Sequence, residues 1–107
     1  MSGEGTSKRV GGQWSRTVEV NGKVVKEDYG TMDYPDLYKH DGNAGVSANM
    51  GFSTEYSSAK CSVAVSLRCD QNEPAIDRAG ELALRKSREL ATEGMAMAIE
   101  ALEASGR

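Results

Sequence analysis

The sequence predicts an α+β fold in ββββα order, an antiparallel sheet of about four strands followed by one long C-terminal amphipathic helix. Three observations carry that prediction. From Cys61 to Cys69 the odd positions read Cys61, Val63, Val65, Leu67, Cys69 and the even ones Ser62, Ala64, Ser66, Arg68, the period of two of a half-buried strand. Beyond it runs an amphipathic stretch in which no helix breaker stronger than Gly80 or Gly94 occurs before Ser105. Near the other end, Asn21-Gly22 is the preferred pair for a two-residue type I′ turn and lies between two strand-forming runs.

Those two runs, Gln13 to Tyr29, predict a hairpin. A straight register sets Val20 opposite Lys23, Val18 opposite Val25, Arg16 opposite Glu27 and Trp14 opposite Tyr29. Gly30 to Gly45 is expected to be mostly irregular. Tyr34-Pro35, Asp41-Gly42-Asn43 and Gly45 are turn signals, and no apolar period organises the stretch, so Tyr34 to Asn43 is expected to be mobile without a ligand. Val46, Ala48, Met50 and Phe52 alternate with small or polar residues as a third strand, and Ser53 to Ser58 turns the chain into the fourth. Asp70-Gln71-Asn72-Glu73-Pro74 then supplies cap residues and a proline suited to a first helical turn.

On the helix, Asp77, Arg78, Glu81, Arg85, Lys86, Arg88 and Glu89 share one half of the wheel with later glutamates. The centre of the opposite arc is a seam of small residues: Gly80, Ala83, Ser87, Ala91, Gly94, Ala98 and Ala101. Two glycines inside a helix cost roughly 1 kcal/mol each relative to alanine, so close packing is expected there. Two packings fit, docking on the chain's own sheet or a helix–helix seam between copies. Leu82, Met95 and Ile99 interrupt the charged half and hint at a second contact.

At 107 residues the chain holds one small domain, expected over residues 13–105 behind a disordered glycine-rich arm at 1–12. No signal-peptide pattern and no transmembrane run are legible, which makes the cytoplasm the default location. Cys61 and Cys69 share a strand face roughly 26 Å apart, too far to bridge, and read as buried free thiols. Net charge is −3, with −2 on residues 1–56 and −1 on residues 57–107, so no basic half exists to drive duplex nucleic-acid binding.

Catalytic patterns are missing from the sequence. His40 is the only histidine, no zinc spacing joins it to the two cysteines, and neither a phosphate-binding glycine motif nor a nucleophile elbow occurs. Asp33, Asp36 and Asp41 offer oxygen ligands without an EF-hand spacing. No enzyme, no cofactor, no metal and no small-molecule substrate is therefore expected. Aromatic residues interleaved with cations are the more informative set, since rings beside positive charge bind single strands without reading bases. Trp14, Arg16, Lys26, Tyr29, Tyr34 and Tyr38 are the candidate contacts, and the small-residue seam is the candidate oligomer interface.

The element order resembles the four-strands-then-helix plan of Whirly and PUR-type single-strand-binding domains. That resemblance implies units that pair through their helices and present strands to nucleic acid. The expected function is a non-enzymatic binding module, dimeric or larger, with single-stranded DNA or RNA as leading ligand. The alternative is a structural or protein-interaction subunit that assembles with itself or another protein.

Overall fold

A computed structural model describes residues 11–54 and 58–105. Residues 1–10 of the expected arm, and Tyr56, lie outside the described residues, whereas Gly12 already begins the first strand. The order is β1 (Gly12–Val20), β2 (Lys23–Met32), a 3-10 turn (Pro35–Tyr38), β3 (Ala44–Ser53), β4 (Ala59–Cys69) and α1 (Glu73–Ser105). The strands form one antiparallel sheet in the order β2-β1-β4-β3, so the α+β, ββββα prediction holds. At 1.5 Å per residue α1 is about 50 Å long and sets the longest dimension, 54 Å. The shortest is 15 Å, room for one sheet and one helix and no third layer.

Each element has a local cause. Asn21 and Gly22 take φ of 54° and 81°, the paired positive values of a type I′ turn. Asn72 caps α1, its Oδ1 accepting the Ala75 amide at 2.9 Å. On β4 the odd residues are buried beneath α1 and the even ones point away from it. The core is built from Val18 and Val20 of β1, Cys61, Val63, Val65 and Leu67 of β4, and Ala83, Leu90, Ala91 and Ala98 of α1. The helix lies mainly over β4 and β3, reaches β1, and leaves β2 largely uncovered.

The hairpin register departs from the straight one by a residue. Val20 does face Lys23, but Val18 pairs with Lys26, Arg16 with Asp28 and Trp14 with Gly30. Between Lys26 and Val24 the chain holds one unmatched residue, Val25, a β-bulge on the outer strand. Because side chains alternate, a slip of one residue moves the rest of β2 to the opposite face. Asp28 is thereby delivered to Arg16, and Tyr29 is turned away from Trp14.

The stretch between β2 and β3 holds a 3-10 turn and a set of hydrogen bonds that its turn signals do not predict. Leu37 is buried in the core, and the Asp70 amide donates to its carbonyl at 2.6 Å. The Asp70 carboxylate, itself buried, accepts the backbone N–H groups of His40, Asp41 and Gly42. Gly42, at φ 59°, donates to Asp70 while its carbonyl accepts Arg68 Nε at 2.8 Å. Asp41 Oδ1 takes the amides of Asn43 and Gln71. What replaces apolar periodicity is one carboxylate collecting three amides from a sharp turn.

Desolvation raises the Asp70 carboxyl pKa, but the donors from Gly42, His40 and Asp41 outweigh it and leave it below the usual aspartate value. A folded pKa below the unfolded one stabilises above the unfolded value, and that stability fades as pH falls through the folded value. Asp70→Ala is therefore expected to lower the urea midpoint at neutral pH, with the gap to wild type closing in acid. Hydrogen exchange should show the amides of His40, Asp41 and Gly42 protected in the wild type and released in the variant. Fast exchange of these amides in the wild type would mean the carboxylate does not hold the turn.

Candidate functional site

The six aromatic and basic candidates do not assemble into one surface. Trp14 and Arg16 point to the helix side, where the Trp14 ring lies over Gly30 and the Arg16 guanidinium sits 5.5 Å from the ring centroid. Arg16 is 5% exposed and fully engaged. Its Nε and Nη2 grip the Asp28 carboxylate at 3.0 and 2.6 Å, and its Nη1 donates to the Leu90 carbonyl and to Glu93 Oε1. Hydrogen bonding to Asp28 raises the arginine pKa against the pull of desolvation, and the same bond lowers that of Asp28. Tyr34 and Tyr38 are half-buried against the core, with Arg68 stacked 5.3 Å over the Tyr38 ring and the Tyr38 hydroxyl donating to Asp33. Lys26 is exposed on the helix side of β2, and Tyr29, 82% exposed, stands on the other face of the sheet.

The small-residue seam is occupied by the chain's own sheet. Ala83, Ser87, Ala91, Gly94 and Ala98 are all buried beneath α1, and Ala101 is half-buried. A Cβ at Gly94 would lie 2.3 Å from Cys61 Sγ and 3.0 Å from Arg16 Cδ, so the helix backbone rests on β4 and β1 at that point. As an interface between copies those residues are not accessible in this fold. Gly80, the first of the series, is different, since a Cβ there would meet nothing within 4 Å.

What the fold leaves open is the far face of the sheet. The strand register sets its side chains in rows: Thr31, Gln13, Ser66, Ser47; then Tyr29, Ser15, Ala64, Asn49; then Glu27, Thr17, Ser62, Gly51. Apart from Glu27 at the margin, these rows carry no charge and nearly all side chains are small. Shallow hollows run along the face, one bordered by Ser15, Tyr29, Thr31, Ser47, Asn49 and Ser66 and another by Thr17, Gly51 and Ser62. Charge returns at the ends, as Glu19 beside Lys60 and as Arg68. The signal for this face was the polar half of the β4 alternation, unremarkable in one strand and distinctive when four strands repeat it.

Reactive groups are sparse. Desolvation pushes the Cys61 and Cys69 thiols above their ordinary pKa, the opposite of an activated nucleophile. Among the described residues no three His, Cys, Asp or Glu side chains converge to hold a metal ion. No helix of the described residues is long and apolar enough to cross a membrane. No protein-family model, curated protein or solved structure matches the chain. The likeness to Whirly and PUR-type domains therefore remains one of element order.

Proposed function

We propose that this protein is a non-enzymatic interaction module that docks on another protein through the uncovered face of its sheet. The observation that carries the reading is the composition of that face: three rows of Ser, Thr, Asn, Gln, Ala and Gly with one marginal charge, Glu27, and a single exposed aromatic residue, Tyr29. Small side chains let a second surface approach close to the strand backbone, hydroxyls and amides supply adaptable hydrogen bonds, and a tyrosine gives a rigid anchor. Single-stranded nucleic acid is the weaker reading. It needs several rings and unpaired cations on one surface. Here Arg16 is buried in an ion pair, Trp14 faces the helix side, and the centre of the open face has no positive charge.

The test uses a face variant, Ala64→Arg, and a control, Ala104→Arg, on the exposed end of α1. Cross-linking in cell extract should recover a protein partner with the wild type and the control, and that recovery should fall with Ala64→Arg. Labelled single-stranded DNA and RNA should not bind micromolar protein at low salt, where the phosphate contribution is strongest. Oligonucleotide binding that Tyr29→Ala abolishes, or a partner profile indifferent to Ala64→Arg, would overturn the proposal.

A further inference from the structure

The two edges of the sheet are built differently. β2 carries Lys23, Lys26, Glu27 and Asp28 and is bent by the bulge at Val25, devices that keep an edge from pairing with another strand. β3, the other edge, is ten residues long, regular in its pairing with β4, and without a single charge, proline or bulge: Ala-Gly-Val-Ser-Ala-Asn-Met-Gly-Phe-Ser. Alongside it α1 presents an uncovered apolar flank. Ile76, Gly80 and Leu84 form a groove with Val46 and Ala48, in which Leu84 is 53% and Ile76 37% exposed. Phe52 on β3 is 41% exposed as well.

We infer that β3 pairs antiparallel with β3 of a second copy of this chain, joining two sheets into one of eight strands with both helices on the same side. Several features single out a second copy rather than a foreign strand. In a two-fold antiparallel pair each side chain near the axis meets its own counterpart at about 5 Å, so a charge there would face a like charge, and β3 has none. On α1 a two-fold at Leu84 places acid against base: Glu81 lies three residues before Leu84 and Arg88 four after it, so each Glu81 approaches the other copy's Arg88. Both lie on the exposed surface, and neither forms an ion pair among the described residues. Gly80 also gains a purpose. A helix-interior glycine is costly, and within one chain a Cβ added at Gly80 would meet nothing within 4 Å. A neighbouring copy laid along the groove supplies the close contact. The inference does not rest on the open-face reading, since pairing uses the free backbone edge of β3 and the Leu84 flank. Because Asn49 also stands in a row of the open face, Leu84→Lys, away from that face, is the variant that separates the two.

Sedimentation velocity and multi-angle light scattering of the full chain test it. The wild type should have the mass of two copies at micromolar concentration. Asn49→Lys at the strand centre and Leu84→Lys on the flank should each give a monomer with unchanged circular dichroism, since both positions are exposed within one chain. Val25→Lys, on the guarded edge, should remain a dimer. A monomeric wild type, or a dimer that survives Asn49→Lys or Leu84→Lys, overturns the inference.

Discussion

Gly94→Leu should destabilise the fold by about 3 kcal/mol, the upper part of the overpacking range, whereas Gly80→Ala should stabilise it by up to about 1 kcal/mol. Both glycines lie inside one helix, and both appear in the sequence as members of one small-residue series. Their surroundings decide the sign. At Gly94 the first carbon of any side chain already falls within 2.3 Å of Cys61 Sγ and 3.5 Å of Val18 Cγ2. Neither neighbour has free space, since Cys61 and Val18 are fully buried in the centre of the core. A leucine would lift the helix from β4 and β1 and open the contacts of Leu90, Ala91 and Ala98. At Gly80 the added methyl meets open space, and the backbone-entropy cost of the glycine is simply removed. Urea melts at concentrations that hold the monomer measure both. A Gly94→Leu variant as stable as wild type would mean the helix does not rest on the sheet at that point.

The fold was legible because its causes are local. The β4 alternation, the Asn21-Gly22 turn and the Asn72 cap each act within a few residues, and each appears where the sequence places it. What escaped depends on contacts between distant segments. The bulge at Val25 has no marker in its own neighbourhood, and it is consistent with a gain seen only across the sheet, where it brings Asp28 to Arg16 and so beneath Glu93, seventy-seven residues away from that arginine. The turn at residues 40–42 is held by Asp70, about thirty positions later, so no window of sequence containing the turn contains its anchor. The same slip scattered the candidate site. A one-residue error in a strand register exchanges its faces, and a surface assembled from Trp14, Arg16 and Tyr29 in one register divides between two faces in the other.

Arg16→Met should be the most damaging single change on the sheet, costing about 2–4 kcal/mol, below the full range for breaking a buried ion pair because Asp28 is 26% exposed. Methionine keeps the apolar stem that packs under Gly94 but leaves the Asp28 carboxylate, the Leu90 carbonyl and Glu93 without their common donor. Arg16→Met with Asp28→Leu should recover most of the loss, because an apolar pair of similar volume removes the stranded charge. Acid separates this account from simple packing. Hydrogen bonding to Arg16 holds the Asp28 pKa below its ordinary value, so the pair stabilises at neutral pH and that contribution fades as pH falls through the lowered value. Wild type should therefore lose stability in acid more steeply than the double variant does. An Arg16→Met protein with an unchanged unfolding midpoint would show that the arginine is not a structural clamp and would return it to the set of residues available for a ligand.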